Sequence, residues 1–428
     1  MRDLSSARHV AHIPGPQHRH VTIEDPLLPA AAHLTGPGAS DVLRPVVAAA
    51  GGELLSCRTS HVQYRPESDL VVRYRCEIRR GGRDVTDTLL AATTVAGPHA
   101  GTLPVEAEGS DGRALSVGVW RWPFDPVLVD LSTMVTPHLA DVHLRELVGG
   151  DAVIEVVAYR PTERAVVRAR GADREIYVKI VPPSSTAALA RRHLVLADAG
   201  LPVPRVLAMG SGWIAMEALV GTTLRDRLKS GSDQLAPPHR YHELLDVLAD
   251  IDLGDVTPTR SRLADAPHHA AMLGAVLPEA SERLEAIAER LSAGSSRRQL
   301  HTGTVHGDLH EGQLVVDDTT VTGLLDIDDV GAGDPLDDVG ALVAHLRFRA
   351  LTSGDQRIEA YAAAVRSALS ATHDDSDVDL HIAAVLVGLA TGPFRIQQPD
   401  WAATTERVLD LIDHHVSAVD APIGAPTR

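Results

Sequence analysis

The stretch VHGDLHEGQ, residues 305–313, gathers His306, Asp308, His310, Glu311 and Gln313 into nine positions. Thirteen positions past Gln313 stands Asp326, in LLDIDDVGAGDP at 324–335. Groups this costly to desolvate, set beside apolar runs, need partners or a purpose. Three readings are open: metal ligation, acid–base chemistry, or polar turns that tie loops. Asp308 and Gln313 lie five apart in a loop, and Asp326 ends the β-like run VTGLLD. That spacing fits a catalytic loop of the form Asp-x-x-x-x-Asn, followed by a strand ending in a metal-binding Asp.

Phosphoryl transfer needs such parts. The attacking hydroxyl must be held in line and lose its proton, so a carboxylate stands beside it. Nucleotide phosphates carry charge that Mg²⁺ offsets, so hard oxygen ligands stand nearby. A lysine on a β-rich lobe then steadies the α- and β-phosphates, and Lys179, in the strand-like REIYVKIVPP, has that placement. One at a time these are a turn aspartate and a strand-edge lysine. Order and spacing together favour the functional reading.

The elements that must position these groups fall into a β-rich half and an α-rich half. YRPESDLVVRYR (64–75) and YRPTERAVVRAR (159–170) agree at seven of twelve positions, 95 residues apart. Both read as strand–turn–strand units with one buried face, and the shared Tyr-Arg-Pro and Val-Val-Arg favour duplication over a common hairpin recipe. The second copy is followed by the lysine strand; the first is followed by GGRDVTDTLLAATTV, which has no lysine. After Lys179, the residues Ser184, Ser185 and Thr186 are cap candidates for a helix stopped by Gly200. A strand–turn–strand segment through MEALVGT leads to a helix starting at Thr222 or Thr223. Further helices are expected at 239–252, 278–293, 336–349, 355–370, 377–391 and 401–418. The resulting units are a loosely ordered 1–35, a first hairpin module 36–135, a lysine-bearing lobe 136–220, a helical half 221–420 holding both acidic loops, and a tail 421–428.

At 428 residues and 44% hydrophobic, the chain can build a sizeable core. Its 40 Lys and Arg against 57 Asp and Glu give a formal charge of −17, which disfavours a broad nucleic-acid interface. Cys57 and Cys76 read as buried free thiols rather than a disulfide. The N-terminus has no signal-peptide core, and the apolar run IAAVLVGLA (382–390) is too short to span a bilayer. The chain therefore reads as soluble and cytoplasmic, with neither nucleic acid nor membrane as a partner.

VHGDLHEGQ followed by LLDIDDVGAGDPLDDVGAL resembles the signature of the aminoglycoside phosphotransferase family, and its glutamine-bearing variant is similar to that of maltokinases and related sugar kinases. The resemblance covers about 150–400. It implies an α+β, bilobal, protein-kinase-like fold with a β-rich N-lobe and an α-rich C-lobe. An extra N-terminal α/β cap module would precede these, as in maltokinase-like proteins. The implied activity is Mg²⁺-dependent transfer of phosphate from ATP to a hydroxyl of a sugar, amino sugar or aminoglycoside-like compound. Carried over by residue, Asp308 is the catalytic base and His306 supports its loop. Gln313, where most members have Asn, and Asp326 ligate Mg²⁺. Lys179 binds phosphates, and Met216, Glu217, Ala218 and Leu219 resemble the hinge whose backbone receives adenine. Asp334 and Asp338, in GDPLDD, are read as caps and loop ties, and His310 as structural. Two departures stand out. The helix after Lys179 lacks the usual paired glutamate, for which Glu175 is a substitute candidate, and the turn RPTERA replaces a Gly-rich loop.

Two other readings compete. His306, Asp308 and His310, with Asp326 and Asp328 nearby, have the spacing of a transition-metal site in a hydrolase. A nucleotide-binding protein without catalysis would explain the missing glutamate. A protein kinase fits less well, because no activation segment separates DIDDVG from the next helix. Residues 299–346 hold ten Asp or Glu and no Lys or Arg, which predicts a negative cleft and a neutral or cationic acceptor.

Overall fold

A computed structural model describes residues 22–108, 114–254, 258–297, 302–371 and 373–419. Alternation of buried and exposed side chains builds a first antiparallel sheet from β1 (Gly52–Arg65), β2 (Asp69–Arg80), β3 (Arg83–Thr94), β4 (Leu103–Glu108) and β5 (Ala114–Arg121), in the order β1-β2-β3-β5-β4. Along β2, Leu70, Val72, Tyr74, Cys76 and Ile78 are all fully buried on one face, as the two-residue period of a strand requires. Each such side chain contributes roughly 1.5–3 kcal/mol. Helices α1 (Ala31–Thr35) and α2 (Ala39–Ala49) cover that face. Cys57 and Cys76 stand opposite one another on β1 and β2 as free thiols.

The second sheet comprises β6 (Val153–Arg160), β7 (Arg164–Arg170), β8 (Glu175–Ile180), β9 (Val206–Met209) and β10 (Trp213–Glu217). Its order, β6-β7-β8-β10-β9, repeats that of the first. It too is preceded by a short and a longer helix, α3 (Leu131–Met134) and α4 (Pro137–Val148). The repeat reaches further back than the hairpins. Asp25-Pro26-Leu27-Leu28 and Asp125-Pro126-Val127-Leu128 each present a buried carboxylate to their own hairpin. Asp25 accepts from Tyr64 Oη at 3.0 Å and from the Glu67 N–H at 2.8 Å. Asp125 accepts from Tyr159 Oη at 2.7 Å and from the Thr162 N–H at 2.9 Å. Glu67 and Thr162 both take the left-handed conformation, φ 59° and 62°, which the carboxylate holds in place. Same order, same helices, same turn and same anchor: the two sheets are two copies of one unit.

The copies differ between the third and fourth strands. Residues 95–102 link β3 to β4, whereas α5 (Pro183–Asp198) lies between β8 and β9. From β10 the chain enters a helical half. There a short strand β11 (Thr222–Thr223) and helices α6 (Leu224–Ser230), α7 (His239–Ala249), α8 (Arg262–Val276) and α9 (Ser281–Arg297) precede the acidic loops. Strands β12 (Gly303–Val305), β13 (Leu314–Asp317), β14 (Thr320–Leu324) and β15 (Gly331–Gly333) frame those loops. Helices α10 (Pro335–Ser353), α11 (Gln356–Leu369), α12 (Asp375–Ala390), α13 (Gly392–Arg395) and α14 (Trp401–Val419) pack behind them. The first sheet and the helical half share one apolar core, while the second sheet has its own with Leu128, Leu131 and Met134. The stretch Asp375–Arg395 is long and apolar enough to cross a membrane, but 78% of its apolar window is buried here among the other helices.

Several expectations shift. Residues 22–35, expected to be loose, bury Ile23, Leu28, Ala31 and Leu34, because Asp25 pins this segment to the hairpin. Residues 1–21 and 420–428 lie outside the described residues. Leu128 to Met134, placed before a boundary at 135, pack into the second core. α5 starts at Pro183 with no side-chain cap, and Thr186 donates to the Ser211 carbonyl instead. Thr223 does cap α6, accepting from the Asp226 N–H. The helix α8 was not expected: Pro267 sits inside its first turns and a His pair interrupts its apolar pattern.

Candidate active site

β12 delivers the chain into the loop that carries Asp308, and Asp338 at the start of α10 clamps it. The Asp338 carboxylate accepts from the His306 N–H at 2.6 Å and the Gly307 N–H at 2.9 Å. Gly307 has φ 81°, and a Cβ there would meet Thr259 and the Asp329 carbonyl, so only glycine fits between His306 and Asp308. The His306 ring is fully buried; its Nδ1 accepts from the Asp308 N–H at 3.3 Å and its Nε2 lies 2.8 Å from the Leu325 carbonyl. The tautomer that satisfies both is protonated at Nε2. His306 thus fastens the loop to the strand end that presents Asp326. Asp334 caps α10 through the Leu336 N–H, as expected.

The Asp308 carboxylate faces Arg262 of α8 at 2.8 Å. Burial alone would raise its pKa, but Arg262 and the imidazoles of His310, His345 and His306 outweigh it and hold the group below the usual aspartate value. It is therefore an ionised acceptor. Asp326 sits at φ 55°, ψ 54°, a strained conformation for a non-glycine residue that aims its carboxylate into the cleft. Lys179 Nζ lies 2.5 Å from both Asp326 Oδ1 and Asp328 Oδ1, and Arg164 donates to Asp326 Oδ2 at 2.7 Å. Gln313 Nε2 is 3.2 Å from the same Oδ2. Lys179, Gln313 and Asp326, predicted from distant parts of the chain, meet in one cluster. The lysine's missing helix glutamate is replaced by Asp326 and Asp328. Glu175 does not substitute: four residues along the same strand, it pairs with Arg170.

The side chains of Gln313, Asp326 and Asp328 carry the amide and carboxylate groups that Mg²⁺ takes, so these residues would hold that ion with the Gln313 amide turned to present its oxygen in place of the Nε2 that now faces Asp326. Bound there, it would offset nucleotide phosphate charge. Met216 and Glu217 end β10, paired with Tyr177 and Ile176 of the lysine strand, and Ala218 and Leu219 continue toward β11. The hinge-like segment thus links the second sheet to the helical half. Arg164 and Arg262 were not anticipated, since nothing local marked them. Asp328 was expected only beside a transition-metal site and instead pairs with Lys179.

The transition-metal reading is not assembled. Both ring nitrogens of His306 are spent on the backbone. Among the described residues, the group of three side chains close enough to share a metal is instead His310, Glu311 and His345. There the buried Glu311 accepts from Arg225 at 3.0 Å and Arg349 at 2.8 Å, and those cations and the neighbouring histidines lower its pKa to about 2 despite burial. His310 stacks on His345 and accepts from the Gly312 N–H at 2.9 Å, consistent with a structural role.

The acidity expected from residues 299–346 is partly offset. Asp308, Glu311, Asp326 and Asp328 are met by cations from elsewhere (Arg164, Lys179, Arg225, Arg262 and Arg349) and Asp338 by backbone N–H groups, while Asp328 and Asp329 stand on the cavity wall. Beside Asp308 opens a cavity of about 570 Å³ between both hairpin tips, α8 and α13. Its wall carries six arginines, at 65, 160, 192, 260, 262 and 395, against four carboxylates, at 163, 265, 328 and 329. Gln63 and Arg65 of the first copy reach into it, so the N-terminal unit forms part of the site.

Among the solved structures that resemble this chain are two kinds of kinase. A thermostable mutant of aminoglycoside phosphotransferase APH(4)-Ia, in its apo form, is 15% identical with a TM-score of 0.47, covering 65% of this chain and 99% of that one. The ethanolamine kinase of Plasmodium vivax is 11% identical, TM-score 0.47, covering 66% and 88%. A choline/ethanolamine kinase family protein of Mesorhizobium loti is 17% identical, TM-score 0.45, covering 68% and 99%. Residues 160–372 match the family described as the phosphotransferase enzyme family. It is over this segment, which runs from the second hairpin tip through Lys179, Asp308, Gln313 and Asp326, that the chain is similar to that family.

Proposed function

We propose that this protein is an ATP- and Mg²⁺-dependent phosphotransferase that phosphorylates a hydroxyl of a small, sugar-like molecule. The observation that carries this reading is the convergence of Lys179, Gln313 and Asp326 beside an ionised Asp308 at the mouth of a polar cavity. Lys179 steadies the nucleotide phosphates; Gln313 and Asp326 hold the metal that screens them. Asp308 accepts the proton of the attacking hydroxyl, and His306 and Asp338 keep its loop from drifting. Met216 to Leu219 offer backbone groups to adenine. The glutamine in HGDLHEGQ supports a maltokinase-like sugar acceptor over other alcohols, as does the size of the cavity.

An ADP-release screen over sugars, amino sugars, sugar acids, aminoglycosides and amino alcohols tests the activity. Asp308→Asn keeps size and removes the accepting charge. It should bind MgATP as the parent does and lose ~10²–10⁴ in turnover. A near-normal kcat in this variant removes Asp308 from the mechanism.

A further inference from the structure

Where the first hairpin tip meets the second, the charges do not balance. Glu163, at the tip of the second hairpin, accepts from Gln63 Nε2 at 2.7 Å and also pairs with Arg65. That uses up the carboxylate nearest this end of the cavity. Arg160, beside it, and Arg395, on α13 across the cavity, have no hydrogen-bond or ion-pair partner among the described side chains. Arg73 donates to the Ser60 hydroxyl at 3.3 Å. Burial, with Arg160 and Arg65 adding repulsion, pushes the Arg395 guanidinium below its ordinary value. His61, facing the same three arginines, is lowered to about 4 by burial and by Arg395, Arg73 and Arg160, so its imidazole is neutral and supplies no charge. Gln63 is 5% exposed, and its Oε1 is buried without a partner. An exposed Arg160 and a half-buried Arg395 thus face one cavity with no carboxylate left to join them, and an anion seated between them would relieve their mutual repulsion.

We propose that this junction is an oxyanion subsite, in which Arg395 and Arg160 hold a carboxylate or phosphate while Gln63 Oε1 accepts from a neighbouring hydroxyl. Three parts of the chain build it: Gln63 from the first sheet, Arg160 from the second, and Arg395 from the helical half. Asp308 is among the charges that act on Arg395, so a ligand seated here lies toward the catalytic base. Resting on the phosphotransferase reading, this makes the acceptor, or an anion that competes with it, an acidic hydroxyl compound. It also reverses the neutral or cationic preference expected from the acidic run at 299–346.

Calorimetric titration of the full-length, nucleotide-free protein tests this with inorganic phosphate, glucuronate, glucose and glucosamine as probes. Phosphate and glucuronate should bind, and glucose and glucosamine should bind at least tenfold more weakly. Tighter glucuronate with phosphate competing for it assigns the subsite to the acceptor's own acidic group. Phosphate binding as tightly as the sugar acid assigns it to a free anion. Arg395→Gln and the exposed Arg160→Gln should each weaken both anions at least tenfold and leave MgATP affinity unchanged. Arg395→Lys should recover part of the loss. The proposal is overturned if glucose or glucosamine binds as well as glucuronate. It is equally overturned if phosphate shows no binding, or if the arginine variants weaken MgATP as much as the anions, since the arginines would then serve the nucleotide. MgATP titration of the parent protein is read separately: its failure counts against the phosphotransferase reading and leaves the anion result standing.

Discussion

The two β-sheet units share an architecture and differ in what they carry. Val71 and Val166 occupy matching places in the two hairpins; Val71 stands opposite Ala92, whereas Val166 stands opposite Lys179. At the tips, Asp69 of the first copy matches Arg164 of the second, the arginine that reaches Asp326. The first copy also has no counterpart of α5, the helix whose Arg192 donates to the Asp328 carbonyl. Three changes on one scaffold therefore separate a sheet that contacts Asp326 and Asp328 from one that does not. The first copy retains the tip, and the tip meets its twin at Glu163 on the rim of the cavity. Duplication preserved the scaffold's apolar face and its carboxylate anchor. The polar positions at the tip and on the third strand were free to diverge, because little of the fold's stability rests on them.

The largest expected effect breaks the asymmetry directly. Lys179→Ala should lower kcat/KM for ATP by ~10²–10³, while Ala92→Lys in the first copy should gain no nucleotide site, since no Asp326 faces it. Equal loss of ATP affinity from Lys179→Ala and from Arg73→Ala would mean that the two copies share one nucleotide site.

The anchors test what the copies have in common. Asp125 accepts from Tyr159, Thr162, Val127 and Leu128; Asp25 accepts from Tyr64, Glu67 and Leu27. Removing either carboxylate strands buried donors and should cost ~2–4 kcal/mol, with Asp125→Ala the larger. A lowered urea midpoint at unchanged slope would show this. Only Asp125→Ala should also weaken ATP, because its hairpin carries Arg164. If Asp25→Ala is silent in the melt, the shared anchor is geometric coincidence.

The smallest effect is a displaced pH limb. Arg262 helps hold Asp308 below the usual carboxylate range, so the parent's kcat/KM should fall only at pH values under that range. Arg262→Gln removes a positive charge, raises the Asp308 pKa, and should move the acidic limb upward by about one unit or less. Arg73→Ala, in the first copy, should leave the limb in place. An unmoved limb in Arg262→Gln would mean that the titrating base is another group.

Local chain geometry made the core of the site legible. Asp308 and Gln313 lie in one loop, and Asp326 ends the strand that hydrogen-bonds back to it, with the Leu325 N–H on the Gln313 carbonyl at 2.8 Å. Residues tied by so short a stretch keep their relation wherever the stretch is placed, so spacing alone carries the signal. The hairpin repeat was legible for the same reason, since turn chemistry and strand period are local. Asp25 and Asp125 escaped notice because they stand 39 and 34 residues before their tyrosines, with no periodic pattern between.

Legible in the chain alone were the acidic loop at 305–313, the aspartate that follows it at 326, the lysine strand and the order of the two halves. Tertiary structure decided which charges remain uncompensated. Counted along the chain, residues 299–346 are strongly acidic. In three dimensions Lys179 and Arg164 meet Asp326 from about 150 positions away, Arg262 meets Asp308 from 46, and Arg349 meets Glu311 from 38. Arg160 of the second sheet and Arg395 of α13, left over, gather at the far end of the cavity beside Gln63 of the first sheet. Charge acts through space at a range set by burial and dielectric, not by sequence separation. Its sign at the acceptor end was therefore fixed only when three remote segments folded against one another.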